Sequence, residues 1–171
     1  VTFARGDAYS VAAAAGTFDV VHAHQVLQHL GDPIAALTEM RRVLRPGGLL
    51  AVRDSDYGAF VWSPADHRLD RWMQLYHRIT EHNGAQADAG RWLPTWVLAA
   101  GFASLTVSSS TWTFASAADR DWWGRLWADR VRFSSFATRA KDYGLSDETE
   151  LEDIAAAFES WATAPDGVFV V

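Results

Sequence analysis

The sequence contains no cysteine among its 171 residues. A disulfide framework, a thiolate metal site and a cysteine nucleophile are therefore all excluded. The sequence also has no apolar run near the roughly 20 residues that a bilayer crossing needs, and no signal peptide pattern at its start. These absences favour a soluble protein without a membrane partner, and the cytoplasm is the expected location.

Positive charge is also scarce, since 15 Lys and Arg residues stand against 21 Asp and Glu residues, for a formal net charge of -6. No basic run reverses this balance locally, so we expect no nucleic acid partner, because binding to phosphates depends on clustered cations. Apolar residues make up 49% of the chain, which is enough for one real core. We therefore expect a single domain over residues 1–171.

The segment from Phe18 to Val52 has the pattern of a strand, a helix and a second strand. An apolar run at 18–23 predicts a buried parallel strand, and Leu49 to Val52 predicts another. Between them, Asp32 is placed to cap a helix whose first residue is Pro33. The apolar residues of this helix recur at helical spacing: Ile34, Leu37, Met40, Val43 and Leu44. Arginines lie near its predicted end, where they favour the helix dipole: Arg41, Arg42 and Arg45. This order predicts a βαβ unit of a parallel sheet.

The remaining segments predict two kinds of element. Strands are predicted over Val1–Gly6, Leu105–Phe114 and Gly167–Val171, and helices over Ala65–Glu81, Leu93–Ala100, Asp119–Phe136 and Asp147–Trp161, the last with a cap at Ser146. The first and last strands read as interrupted at the chain ends, which we interpret as the sign of a fragment, since a strand cut in its interior loses ladder hydrogen bonds.

Three blocks of sequence resemble one known family. They are Gly6-Asp7-Ala8, then Phe18-Asp19-Val20-Val21 leading into Leu27-Gln28-His29-Leu30, and finally Glu39-Met40-Arg41-Arg42-Val43-Leu44-Arg45-Pro46-Gly47-Gly48. In order and spacing they resemble the class I S-adenosylmethionine-dependent methyltransferases, in the small-molecule branch similar to the ubiquinone and menaquinone biosynthesis methyltransferases. The resemblance implies an α/β fold, the C-terminal part of a Rossmann-like methyltransferase sheet with helical insertions.

The resemblance also implies a site for S-adenosylmethionine. Asp7 would accept a hydrogen bond from the adenine amino group, and the Ala8 backbone amide would meet the adenine ring. His24 and Gln25 would flank the cofactor, and His29 would face the point where methyl donor and acceptor meet, as the candidate catalytic residue. Ligands of open parallel sheets bind beyond the carboxyl ends of the strands, which is where these residues fall.

Each of these residues also has a structural interpretation. Asp7 could cap the turn after its strand, and His29 could be a hydrogen-bonded histidine at a helix boundary. Asp54 and Tyr57 are either substrate contacts or loop residues exposed to solvent. His22 and His24 lie on one face of a strand without a third ligand, so we expect no metal site.

The second half of the sequence predicts the substrate side of the site. All nine tryptophans lie after residue 60, and six of them fall in two predicted helical insertions, 57–90 and 117–166. We expect these insertions to cap the site, with Trp123 and Trp127 in a lid. The predicted acceptor is a small, neutral, apolar or aromatic molecule, because ligand pockets are mostly apolar. A homodimer is left open.

The sequence departs from the family at its beginning. The glycine-rich loop after the first strand, and the acidic residue that ends the second strand, have no counterpart before Asp7. The resemblance therefore implies that about 60 or more residues precede this segment in the parent protein. Residues 1–171 alone are expected to bind the cofactor poorly and to be inactive.

Two other functions remain open at this stage. A nicotinamide-dependent oxidoreductase would share the sheet, although its fingerprint would also lie in the absent region. A degenerate, non-catalytic methyltransferase module that binds a partner would explain the missing glycine-rich loop without truncation.

Overall fold

The computed structural model describes residues 2–171, which form two compact units. The first unit consists of residues up to 55 together with 88–108, and the second of residues 56–87 together with 109–171. The inserted segment 56–87 nearly coincides with the predicted insertion 57–90. None of the helices within residues 2–171 combines the length and the apolar composition that crossing a membrane requires.

Five strands and six helices account for the regular structure of the described residues. The strands are β1 (Phe18–His24), β2 (Leu44–Arg53), β3 (Val61–Ser63), β4 (Thr113–Phe114) and β5 (Val168–Val170). The helices are α1 (Pro33–Val43), α2 (His67–His82), α3 (Ala89–Ala99), α4 (Ala117–Phe133), α5 (Ser135–Asp142) and α6 (Glu148–Thr163). Two short 3-10 turns lie at Leu27–His29 and Tyr57–Ala59.

The first unit contains the predicted βαβ arrangement. Strands β1 and β2 pair in parallel, with Val20 opposite Leu49 and His24 opposite Arg53. Asp32 caps α1, since its Oδ1 accepts a hydrogen bond from the Ala35 backbone N–H at 2.9 Å. A small core joins these elements to α3, with the buried residues Ala23, Leu27, Ala36, Leu37, Met40 and Ala100. The α/β prediction for this part of the chain is confirmed.

Helices α1 and α3 are also joined by a polar contact. The Arg41 guanidinium donates from Nη1 to the backbone carbonyl of Ala100 at 3.3 Å, which satisfies a carbonyl at the end of α3. Gly101 follows with φ +87°, and a Cβ at this position would lie 2.6 Å from Arg41 Nη1. Only glycine combines this left-handed backbone with so close an approach.

The second unit is built around aromatic side chains. Strand β5 lies between β3 and β4 and is antiparallel to both, with Phe169 opposite Trp62 and Phe114. Trp72 and Phe158 are fully buried, and their rings meet edge to face at 5.1 Å. Helices α4 and α6 approach closely at Gly124, where a Cβ would lie 2.6 Å from the Ala162 Cβ. This core therefore depends on the packing of aromatic rings and on the close contact of α4 with α6 at Gly124, where the absence of a side chain lets the helices approach.

Two of the predicted strands differ in the structure. Val1 lies outside the described residues, and 2–6 form no strand, because they have no neighbouring strand with which to pair. Asp7 forms only an isolated bridge with Ser10. The predicted strand 105–114 is reduced to Thr113–Phe114, which pair with β5, and Trp112 exchanges two further backbone hydrogen bonds with Val171.

The boundaries of the helices also differ from the predictions. Helix α3 begins at Ala89 instead of Leu93, and α2 spans His67–His82 instead of 65–81. The predicted helix 119–136 is interrupted at Ser134, whose extended backbone ends α4 and whose Oγ accepts from the Phe136 N–H at the start of α5. Asp147 rather than Ser146 caps α6. Arg45 belongs to β2 instead of the end of α1, and it pairs with Asp19 at 2.7 Å.

Candidate active site

The carboxyl ends of β1 and β2 lie side by side in the first unit, and three predicted site residues lie there. His24 is the last residue of β1, Gln25 follows it, and Asp54 follows β2. Gln25 adopts a left-handed backbone with φ +53°, which is uncommon for residues other than glycine. Its backbone N–H donates to the Arg53 carbonyl at 2.7 Å, and its side-chain amide donates to Ser55 Oγ at 3.1 Å. These bonds hold Gln25 across the ends of both strands, at a type of backbone strain that often marks functional sites.

Asp54 ties the end of β2 to the turn that follows β1. Its Oδ1 accepts the backbone N–H of Gln28 at 3.1 Å, while its Oδ2 is buried without a hydrogen-bond partner. Burial raises the pKa of Asp54 above its ordinary value, and the backbone N–H groups of Gln28 and Leu27 and the charges of His29 and His24 partly oppose that rise. Asp54 is therefore a desolvated carboxyl beside both candidate histidines.

His29 is exposed at the end of the 3-10 turn, next to the buried Gln28. The side-chain nitrogen of Gln28 lies 3.2 Å from His29 Nε2, within hydrogen-bonding distance. The Gln28 side-chain oxygen is buried without a partner. In the turn 27–29, the His29 ring is therefore exposed and contacts the buried side-chain amide of Gln28.

The predicted adenine-binding residues lie in the loop that precedes β1. Asp7 is exposed and accepts the Tyr9 backbone N–H through Oδ1 at 2.9 Å, so it forms the capped turn of its structural interpretation. The same residue remains accessible to a ligand. Ala8 is half-buried and packs against the core of the first unit.

Two side chains of α1 hold the continuation of this loop. Glu39 Oε1 accepts the Val11 N–H at 2.8 Å, and Arg42 Nη2 donates to the carbonyls of Val11 and Ala13 at 3.1 and 2.9 Å. Glu39 and Arg42 also pair with each other at 2.7 Å. The Arg42 hydrogen bond is the main reason that the pKa of Glu39 falls to about 2. The family-like block 39–48 therefore has a visible role in fixing the loop after Ala8.

The other predicted substrate residues lie in the second unit and are core residues there. Tyr57 is buried, and its ring stacks on Tyr76 with centroids 3.8 Å apart. Burial raises the pKa of the Tyr57 hydroxyl far above its ordinary value. Trp123 stacks on Phe114 at 4.2 Å, and Trp127 packs edge to face against Trp72 at 4.6 Å.

The prediction that Trp123 and Trp127 form a lid is corrected by this packing. They are 7% and 3% exposed, so their rings are used by the core of their own unit and present no surface to a substrate. Sequence periodicity could not separate the two uses, because a buried stripe and a pocket lining have the same helical spacing.

The first unit also contains a groove of about 780 Å³, which lies along β2, α3 and residues 102–108. None of the predicted site residues lines this groove. Among residues 2–171 there is no group of three His, Cys, Asp or Glu side chains placed to hold a metal ion.

Four residues with clear roles near the site received no assignment from the sequence: Gln28, Ser55, Glu39 and Arg42. One signal was available for Gln28, which is an uncharged polar residue inside the apolar context Val26-Leu27-Gln28-His29-Leu30. The contacts of the other three join positions about 30 residues apart and have no local signature.

The sequence comparisons identify similar proteins. Residues 1–52 match the family described as a methyltransferase domain. An uncharacterized methyltransferase of Schizosaccharomyces pombe is 35% identical over 98% of this chain and 60% of its own length. A probable methyltransferase of Aspergillus luteorubrus is 29% identical over 88% of this chain and 55% of its own length. The chain thus spans a little over half the length of these relatives.

One further relative matches less than half of this chain, and one solved structure matches nearly all of it. The demethylmenaquinone methyltransferase of Beutenbergia cavernae is 33% identical over 44% of this chain and 31% of its own length. Among solved structures, the [4+2]-cyclase SpnF is 19% identical over 98% of this chain and 54% of that chain, with a TM-score of 0.47. A structural likeness of that size carries no argument about function.

Proposed function

We propose that the intact protein transfers a methyl group from S-adenosylmethionine to a small acceptor. Residues 1–52 match the methyltransferase domain family, which confirms the resemblance to the class I S-adenosylmethionine-dependent methyltransferases. The observation that carries this proposal is the grouping of His24, Gln25, His29 and Asp54 at the carboxyl ends of two parallel strands. Ligands of open α/β sheets bind at such ends.

The residues present fit the cofactor. Asp7 is an exposed hydrogen-bond acceptor in a loop that Glu39 and Arg42 hold to α1. His24 and Gln25 are exposed at the end of β1. The bound cofactor supplies an electrophilic methyl group on a sulfonium, and the acceptor supplies the electron pair.

The chain's own residues mainly bind and orient the reactants. Asp7 would accept from the adenine amino group and Ala8 would contact the adenine ring, while His24 and Gln25 would flank the cofactor. His29 is the candidate catalytic residue at the acceptor. A displacement at a methyl group needs alignment and exclusion of water, and a general base only where the acceptor must lose a proton.

For the acceptor we propose a small, uncharged, apolar or aromatic molecule. The net charge of -6 disfavours an anionic acceptor. The relative from B. cavernae carries the name of a demethylmenaquinone methyltransferase, which supports an aromatic acceptor for this chain as well. Trp123, Trp127 and Tyr57 contribute no support, since they are buried in their own unit.

The cofactor assignment is tested by calorimetry with S-adenosylmethionine on the full-length protein. Asp7→Ala should weaken binding about five- to a hundredfold, because a hydrogen bond to a charged group contributes about 1–3 kcal/mol. Asp19→Ala is the matched control, since this exposed carboxylate in the same unit pairs only with the exposed Arg45. Unchanged affinity in Asp7→Ala would contradict the adenine assignment, and no binding by the wild-type protein would favour the non-catalytic module.

The acceptor class is tested with a panel of substrates. Phenols, quinols and polyketide-like alcohols should be methylated in preference to amino acids and sugar phosphates. Preferential methylation of the charged compounds would overturn the proposed acceptor class while leaving the cofactor assignment in place. A nicotinamide cofactor bound in place of S-adenosylmethionine would favour the oxidoreductase instead.

A further inference from the structure

Apart from tyrosine and tryptophan, Gln28 is the one buried residue with a polar side chain among residues 2–171, at 4% exposure. A buried amide costs free energy unless it is hydrogen-bonded, so its position at the strand ends calls for a physical reason. Its one hydrogen bond from the side chain goes to His29 Nε2, at 3.2 Å. The residue is therefore placed where it can act on the imidazole of its neighbour.

Asp54 determines where Gln28 lies. The Asp54 Oδ1 accepts the Gln28 backbone N–H at 3.1 Å, across 26 positions of sequence, and so links the turn to the end of β2. The Leu27 side chain before it is fully buried in the core of the first unit. With its backbone held by a carboxylate and its neighbour by packing, the Gln28 amide has little freedom to leave His29.

The orientation of the amide decides where the His29 proton lies. When the amide NH₂ donates to Nε2, the Gln28 nitrogen has a partner and the Gln28 side-chain oxygen is left without one. With the amide turned over, the oxygen would accept from a protonated Nε2, and the NH₂ group with its two N–H donors would take the buried position of that oxygen. Unpaired buried N–H groups are rarer in proteins than underused carbonyl oxygens, so the first orientation is favoured.

We propose that Gln28, held by Asp54, is a positioning residue that fixes the ring of His29 and keeps its proton on Nδ1. This inference deepens the proposed methyl transfer and rests on it for its catalytic consequence. The Nε2 lone pair is occupied by Gln28, so His29 meets the acceptor molecule as a hydrogen-bond donor through Nδ1–H. The acceptor must then carry an oxygen or nitrogen lone pair beside the methylated atom.

The tautomer is measured by nitrogen NMR of the full-length protein labelled at its histidine rings, with the His29 signals identified from a His29→Gln variant. We expect a protonated Nδ1 and an unprotonated Nε2 in the wild-type protein. Gln28→Leu should shift His29 toward a mixture of tautomers. Gln28→Glu should place the proton on Nε2, because a carboxylate only accepts hydrogen bonds.

Matched variants separate this role from a general effect on folding. Gln74→Leu makes the same substitution at an exposed position of α2 and should leave the His29 signals unchanged. Asp54→Asn retains an oxygen for the Gln28 N–H and should keep the wild-type tautomer, whereas Asp54→Leu should resemble Gln28→Leu. A wild-type His29 protonated on Nε2, or one that Gln28→Leu does not alter, would overturn the proposal.

Kinetics test the catalytic consequence separately. Gln28→Leu should lower kcat about 10- to 100-fold with the KM for S-adenosylmethionine unchanged, because a misplaced group beside the reacting atoms costs a factor of this size. An unchanged kcat together with an altered tautomer would overturn the catalytic role of the positioning. Failure of methyl transfer in the wild-type protein would count against the proposed function, while the NMR result would still decide the role of Gln28.

Discussion

The two units of this chain use their side chains in opposite ways. In the first, the residues of interest other than the buried Gln28 are exposed or half-buried. They are linked by hydrogen bonds between side chains and backbone, as between Asp54 and the Gln28 N–H and between Arg42 and the Val11 carbonyl. In the second, the largest side chains are buried against one another, as with Trp72 against Trp127 and Phe158. Abundance of aromatic residues therefore indicates a core in this protein, while the candidate chemistry lies among polar residues at strand ends.

Removing the central ring of the second unit should have the largest effect on stability. Trp72→Ala should lower the free energy of unfolding of this unit by about 3–5 kcal/mol, because it leaves a large cavity among packed rings. Trp72→Phe should be milder, since the Trp72 indole N–H has no hydrogen-bond partner to lose. Urea unfolding followed by amide exchange in α2 and α6 would assign the change to this unit.

Trp122→Ala is the matched control for that experiment. Trp122 is 57% exposed, so its removal should change the stability by about 0.5 kcal/mol or less. Equal losses in Trp72→Ala and Trp122→Ala would show that ring burial does not distinguish the two positions, and would weaken the comparison between the units.

Gly124→Ala tests the close approach of α4 and α6. Helix propensity alone predicts a gain of about 1 kcal/mol, but the added Cβ would lie 2.6 Å from the Ala162 Cβ and 2.8 Å from the Phe158 carbonyl oxygen. Overpacking of this kind costs about 1–3 kcal/mol, so we expect a net loss. The urea midpoint measures it, with Gly6→Ala as control because, among residues 2–171, no atom beyond the adjacent residues lies within 4 Å of that Cβ. A stabilised Gly124→Ala variant would contradict the helix contact.

In the first unit, Arg42→Ala should loosen a loop rather than unfold a core. Without the guanidinium, the Ala13 carbonyl loses its bond from Arg42, the Val11 carbonyl keeps the Ala13 N–H as donor, and Glu39 loses its ion pair. We expect the Val11 amide to exchange about tenfold faster, since local opening becomes easier. Arg45→Ala removes an arginine from the exposed pair with Asp19 and should not change this rate. Equal rates in the wild-type protein and Arg42→Ala would contradict the role of this contact.

The smallest expected effect is the pH dependence from Asp66, which caps α2. A hydrogen bond from Arg68 is the main cause that lowers the pKa of Asp66. A lowered pKa contributes stability that is present above the unfolded value, about 3.9, and is lost as the pH falls through the folded value. Asp66→Asn should remove this contribution, so that the loss of unfolding free energy on acidification becomes smaller by less than about 1 kcal/mol. Parallel pH titrations of the unfolding free energy would measure the difference, and identical profiles would contradict the assignment.

Local patterns predicted much of the first unit. The strand predicted at 18–23, observed as Phe18–His24, and the cap at Asp32 follow from residues that are close in sequence, and these predictions are confirmed. The strand predicted at 105–114 was wrong for most of its length, because a strand exists only where a partner supplies hydrogen bonds. The helix predicted over 119–136 was wrong at Ser134, where one side chain caps the next helix.

In the candidate site too, some residues could be predicted from the sequence and some contacts could not. His24, Gln25, His29 and Asp54 could be named from the sequence, because strand ends can be located from apolar runs and because the family resemblance supplied their roles. Glu39 and Arg42 could be recognised as part of a motif, but their contact with the loop 11–13 could not, since nothing in the spacing of 28 to 31 positions indicates it.

The sequence by itself determined the βαβ order, the family and the polar residues at the strand ends, since these depend on periodicity and on short motifs. Only the tertiary structure decided that Trp123 and Trp127 are core residues, that Gln28 is buried against His29, and that Asp54 is desolvated. The physical reason is that burial and hydrogen-bond partners are properties of pairs of segments distant along the chain. Residue type limits which pairs can form, and packing selects among them.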